Sequence, residues 1–218
     1  MSELRSFSVP ALRDLVSDED WLGLTRYPSW TYPTDRTVLR QGERGTHVLA
    51  LISGLVKVVR TDRDGRQRLL AFRGPGEILG EMALQQGGVR LADVQTMSKC
   101  KASVIPAGDF HRFVDERRLA YTLAVLASHR LREQAEIYDG AVHERLAAAL
   151  LRLVELSGGV RSFPLTREEM AQHIGVGRKS VTKALLQLGP DQVRVAKSRI
   201  NVISVEDLRK TLACSAGI

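Results

Sequence analysis

The chain has 218 residues, 44% of them hydrophobic and 26% charged, ordinary proportions for a folded protein and far from those of disordered chains. No apolar run approaches the ~18 residues of a membrane helix, and the first twenty residues lack the apolar segment of a secretory signal, so a cytoplasmic protein without membrane spans is expected. Lys plus Arg is 32 against Asp plus Glu 25, a net charge of +7 that is compatible with an anionic partner, and Cys100 and Cys214 alone cannot build a disulfide framework or a tetrahedral metal site.

In chain order, the first predicted element is helical, around Pro10–Leu24, where Leu12, Leu15 and Val16 share a face. From Thr37 to Pro106 short runs of Val, Leu and Ile are punctuated by glycine and read as antiparallel strands, with Asp64-Gly65 as the turn of a hairpin. A small β-barrel or jelly roll is implied. Within this region Gly80-Glu81 is followed nine residues later by Arg90. Backbone N–H groups and a guanidinium can hold a phosphate while a carboxylate accepts from a sugar hydroxyl; alone, such a pair also fits a surface ion pair. The glycines then disappear, and the pattern predicts one helix from Asp109 to Asp139. Leu119, Leu123 and Leu126 form a stripe on it, with Leu131 continuing nearby, to be covered by the chain's own β domain or by a second subunit. Gly140 is a candidate hinge, and a further helix, Ala141–Ser157, stops at Gly158-Gly159.

The segment from Leu165 to Gly189 is the most informative. Thr166 and Glu169 have the spacing of a capping box, so a helix is predicted to start at Arg167. Ala171, Gly175 and Val181 then fall at the close-packing, turn and inward positions of a helix-turn-helix. The second helix, about Gly177–Leu188, carries Arg178, Lys179, Ser180 and Lys183 near its start, where a helix laid in the major groove meets base edges. Between Arg161 and Asn201 there are eight basic residues against three acidic ones, so most of the excess charge of the chain sits here. Two short alternating segments around Ala196-Lys197-Ser198-Arg199 read as a wing that sets Lys197, with Arg199 as a second candidate, against phosphates, or as a plain structural hairpin.

Taken together, the β-rich domain with Gly80, Glu81, Met82, Arg90, Leu91 and Ala92, the long helix and the helix-turn-helix resemble the cyclic-AMP receptor protein/FNR family of bacterial transcription regulators. The resemblance implies an α+β fold: an effector-sensing β-roll (jelly roll) of the cyclic-nucleotide-binding type over residues 1–115, a dimerisation helix over 116–139, and a C-terminal winged helix-turn-helix over 140–218. It implies a homodimer on palindromic double-stranded DNA, contact with RNA polymerase, and effector control by cyclic AMP or another cyclic nucleotide held by those six residues. The DNA contacts would come from Thr166, Arg167, Arg178, Lys179, Ser180, Lys183 and Lys197. Three departures stand out. Leu91 replaces the hydroxyl residue of the cyclic-AMP binders, Gln134 and Ala135 fall near their purine-contacting Thr-Ser pair, and Lys179 replaces a Glu that accepts from cytosine. The alternatives are a dimer that binds DNA independently of cyclic nucleotide, and a nucleotide-binding module acting on a protein partner. No catalytic motif is present, the cysteine set of the oxygen-sensing branch is missing, and none of the five histidines has metal-ligand spacing with another, so neither an enzyme nor a metal site is expected.

Overall fold

The computed structural model describes residues 9–85, 88–137 and 139–215. Gln86 and Gly87 of the segment before Arg90, Tyr138 of the predicted long helix, and the Cys214 side chain lie outside the described part. The chain divides into two compact units, Val9–Arg132 and the residues from Glu133 onward.

The first unit runs α1 (Leu12–Leu15), α2 (Asp18–Thr25), β1 (Ser29–Tyr32), β2 (Thr37–Leu39), β3 (His47–Ser53), β4 (Val56–Thr61), β5 (Gln67–Arg73), β6 (Ile78–Leu79), α3 (Glu81–Gln85), β7 (Asp93–Thr96), β8 (Cys100–Pro106), α4 (Ala107–Glu116) and α5 (Ala120–Glu136) as far as Arg132. Its strands form two four-stranded antiparallel sheets, ordered β1-β8-β3-β6 and β2-β7-β4-β5. Successive side chains on a strand face opposite ways, and β3 shows what that does here. Leu49 and Leu51 pack with Leu39, Val56, Leu79 and Val94 from both sheets. Val48 and Ala50 face the other way, onto Leu12, Leu24, Phe110, Phe113, Leu119, Leu123 and Leu126 of the helices. With both faces of β3 covered, its sequence is a continuous apolar run instead of an alternation. The β4–β5 hairpin turns at Gly65, in the left-handed region at φ 81° as expected.

One helical expectation is refined and one is corrected. The N-terminal helical segment is two helices, because Ser17 accepts a hydrogen bond from the Asp20 N–H at 3.1 Å and starts α2 afresh. The helix expected from Asp109 to Asp139 is also broken. At the end of α4 the N–H of Leu119 donates to Val114 O at 2.9 Å and that of Arg118 to Asp115 O at 3.2 Å, with Arg118 at φ 53°. This is a Schellman closure, in which a left-handed residue lets the last carbonyls be satisfied; Gly normally occupies the position. Arg118 pays the Cβ penalty of roughly 1–2 kcal/mol, and packing of Leu119 against Phe113 and Val114 opposes it. The stripe Leu119, Leu123 and Leu126 is thus covered by its own domain. A different face of α5, with Tyr121 80% and Leu131 74% exposed and Ala124 and Ser128 between them, carries no cover within this unit.

The second unit contains α6 (Val142–Leu156), β9 (Ser162–Phe163), α7 (Arg167–His173), α8 (Arg178–Leu188), β10 (Val193–Ala196), β11 (Arg199–Val202) and α9 (Val205–Ser215). β10, β11 and β9 form a three-stranded antiparallel sheet in that order. Leu146, Leu150, Leu153, Phe163, Met170, Ala171, Val181, Ala184, Ile200 and Leu208 are buried and form its core. Ala171 and Val181 therefore sit where the spacing put them. Gly175, at φ 64°, ends α7 with the Val176 N–H donating to Ala171 O at 2.9 Å. This is the same closure as at Arg118, here with the glycine it favours. No helix among the described residues is long and apolar enough to cross a membrane.

Candidate effector turn and nucleic-acid interface

In the first unit, Gly80 takes φ 87° at the entry to α3, and Arg90 folds back onto it. The Arg90 guanidinium donates from Nη1 to Gly80 O at 2.7 Å and from Nη2 to His47 O. A Cβ at position 80 would overlap Arg90 Nη1 and press on Leu39, so the close approach and the positive φ both require glycine there. Glu81, the first residue of α3, is buried and ion-paired with Arg130 Nη1 of α5. Arg130 Nη2 also donates to Glu77 Oε2 at 2.7 Å and to Ile78 O at 2.9 Å. Glu77 Oε1 in turn lies 3.5 Å from Arg73 Nε.

Of the six residues expected at an effector site, Gly80, Glu81 and Arg90 are brought together. Met82 and Leu91 are 48% and 45% exposed, and Ala92 is half-buried. Arg73, Glu77 and Arg130 were not expected. Nothing near Arg130 in the sequence signals that it returns to a turn some fifty positions earlier. Arg73 and Glu77 could have been suspected, as isolated charges flanking an otherwise apolar stretch. Arg73, Arg90 and Arg130 face Glu77 and Glu81 in this largely buried group, and the exposed Glu43 carboxylate also acts on Arg90. Burial pulls the Arg90 guanidinium below its usual value. For Arg130 burial acts the same way, but the Glu81 and Glu77 carboxylates more than reverse it and hold its guanidinium above the usual value. His47 is lowered by burial and by the Arg90 charge, against a smaller upward pull from Glu43.

In the second unit Thr166 and Glu169 form the expected capping box: the Glu169 N–H donates to Thr166 Oγ1 at 3.1 Å and the Thr166 N–H to Glu169 Oε2 at 2.8 Å. The Thr166 hydroxyl is thus engaged within its own helix. Arg167 is half-buried, and its Nε is buried without a hydrogen-bond partner among the described residues. Arg178, Lys179, Ser180, Lys183 and Lys197 are all exposed. Among the described residues, none of the four cationic side chains in that set has an ion-pair or hydrogen-bond partner. Leu186 follows them, 78% exposed on the same helix. β10 and β11 form the hairpin that carries Lys197, and Arg199 Nη1 ties it to Ser162 Oγ at 3.0 Å. Arg199, suspected of phosphate contact, therefore holds the hairpin to β9. No group of three potential metal ligands is present among the described residues.

Comparison with known proteins places both units in known domain families. The family model of the cyclic nucleotide-binding domain matches residues 29–117, and that of the Crp-like helix-turn-helix domain matches residues 144–211. The chain is 31% identical over 206 residues to the cyclic AMP receptor protein of Thermus thermophilus, covering 88% of this chain and 94% of that one. It is 31% identical over 165 residues to the CRP-like cAMP-activated global transcriptional regulator of Mycobacterium tuberculosis, covering 71% of this chain and 74% of the relative. Among solved structures, the Thermus thermophilus catabolite activator protein is similar at 28% identity and a TM-score of 0.51, over 94% of this chain and 98% of that chain. A CRP-family transcriptional regulator of the same organism shares the fold at a TM-score of 0.68 and 23% identity, over 84% of this chain and 96% of that chain.

Proposed function

The chain belongs to the cyclic-AMP receptor protein family of DNA-binding transcription regulators, and from that premise we propose that it acts as a cytoplasmic homodimer that reads a palindromic operator with α8 and contacts RNA polymerase. The parts we assign are an effector-sensing domain over residues 1–115, a dimerisation helix over 116–139 and a DNA-binding domain over 140–218. The observation that carries the DNA role is the set of exposed, unpaired cations Arg178, Lys179, Lys183 and Lys197 on a rigid helix-turn-helix and its wing. Arg can bond guanine with two prongs, whereas Lys179 lacks the acceptor that cytosine N4 needs, so the half-site shares only part of the family consensus. The homodimer is supported by Tyr121, Ala124, Ser128 and Leu131, alternately three and four residues apart, the spacing of a helix-pairing seam.

For the effector, the buried guanidinium of Arg90 beside the Gly80 turn matches a phosphodiester monoanion such as cyclic AMP, the ligand named for the Thermus thermophilus relative. Arg90 would hold the phosphate and Glu81 the ribose. One observation favours the ligand-independent reading. Leu91 offers no hydroxyl, and a hydrogen bond to a charged group is worth about 1.5–3 kcal/mol, or roughly ten- to a hundredfold in affinity.

Binding of the full chain to duplex DNA across a salt series, with and without cyclic AMP, tests these readings. DNA binding predicts a log–log slope of about −0.9 per phosphate neutralised. Salt-independent or absent binding would leave only a protein-docking role. A large stimulation by micromolar cyclic AMP supports the effector site, and none supports the ligand-independent dimer.

An anion on Arg90 also has a proton signature. It cancels part of the charge that depresses the His47 pKa, so His47 binds protons more readily in the complex. Affinity should then rise as pH falls through the range below the ordinary histidine value of about 6.5, and be flat well above it. Calorimetry with cyclic AMP at pH 6, in buffers of different ionisation enthalpy, should show net proton uptake. Binding with no proton uptake would place the anion elsewhere.

A further inference from the structure

The exposed face of α8 is not uniformly polar. Lys179 precedes Thr182 by three residues and Lys183 by four, and Leu186 follows them by four and three, so all four share one side of the helix, opposite the buried Val181, Ala184 and Leu188. Leu186 lies at the middle of that side and is 78% exposed, among the most exposed of the large apolar side chains described. A single exposed leucine is ordinary on a protein surface, but this one adjoins a second apolar group. The Thr182 hydroxyl donates to Arg178 O at 3.1 Å, one turn back. With its oxygen committed to the backbone, Thr182 presents its methyl. One helical turn later on the same face comes the Leu186 isobutyl group. Two apolar groups thus sit in a row beside Lys179 and Lys183, on the face that the cations mark for an anionic partner.

Resting on the reading of α8 as the DNA-reading helix, we infer that Thr182 and Leu186 form an apolar strip that recognises the 5-methyl groups of thymines in the operator half-site. The chemistry is specific. In the major groove the thymine methyl is the only apolar feature a base pair offers, and threonine methyls and other apolar side chains meet it by contact alone. Lys179 and Lys183 beside the strip supply the attraction to phosphates or to guanine edges that brings the strip to the groove. A cytosine at the same place lacks the methyl and so forgoes the contact.

The test uses the full-length protein and the duplex that it selects from a random pool. Each thymine of the half-site is replaced in turn by uracil, which pairs identically and lacks the methyl. At one or two positions the uracil duplex should bind about three- to fivefold more weakly, the scale expected for one buried methyl. Leu186→Ala together with Thr182→Ser, which keeps the hydroxyl bond, should bind the thymine duplex more weakly by a similar factor and no longer distinguish it from uracil. Both positions are exposed, so the fold is not at risk. Equal binding of thymine and uracil duplexes by the wild type, or discrimination that survives in the double variant, overturns the inference while leaving α8 as a reader. Failure to select any duplex over random DNA overturns the underlying reading as well.

Discussion

Arg130→Ala is expected to lower the stability of the β-roll by about 3–5 kcal/mol, the usual cost of removing one partner from a buried ion pair. Arg130 is the common donor to Glu77, Glu81 and Ile78 O. Without it, Glu81 loses its ion-pair partner and Glu77 keeps only the Arg73 contact, at 3.5 Å. Two carboxylates with almost no access to water are then left without the cation they share. The measurement is convenient because the two tryptophans of the chain, Trp21 and Trp30, both lie in the first unit. Denaturation followed by tryptophan fluorescence thus reports on this part of the molecule. Adding Glu77→Gln and Glu81→Gln to Arg130→Ala should recover much of the loss, since it removes the buried charges that the first change orphans. A loss under 1 kcal/mol, or no recovery in the triple variant, would mean that the network contributes little.

Arg178→Ala is expected to weaken specific DNA binding by about 1–3 kcal/mol and to relax the preference at one base pair of each half-site. The side chain is exposed and unpaired, so the change leaves the fold untouched and the loss is one of recognition. Lys197→Ala, on the hairpin, makes the contrast. A phosphate contact carries no sequence information, so its loss should weaken binding to all sequences alike and reduce the salt slope by about one. Selection from random duplexes followed by sequencing separates the two. An unchanged base preference in Arg178→Ala would remove this residue from the reading surface, and a changed preference in Lys197→Ala would make the wing a reader.

What the linear sequence made legible is what local chemistry dictates. Thr166 and Glu169 announce the start of α7 because a capping box is satisfied within four residues. Gly175 announces its end because a left-handed closure favours glycine. The strands of the β-roll were readable from apolar runs between glycines. The break at Arg118 was not, because that closure uses an arginine and is held by Leu119 in a core assembled from distant residues. For the same reason the sequence left open whether the chain's own β domain or a second subunit covers the leucine stripe of α5. Apolar spacing shows that Leu119, Leu123 and Leu126 want cover, but only the packing shows that Phe113 and Val48 supply it and that Tyr121 and Leu131 are left outside.

The turn at Gly80 divides along the same line. Gly80, Glu81 and Arg90 lie within eleven consecutive positions and could be named as a group from their order alone. Their partners could not: Arg130 reaches Glu81 and Glu77 from a helix about fifty residues away, and His47 meets Arg90 across more than forty. The sequence by itself determined the caps, turns, strand runs and placement of charge on α8, since each follows from forces acting over one or two helical turns. Tertiary structure alone decided which charges became buried neighbours and which apolar face stayed open, because desolvation and ion pairing depend on distance in space.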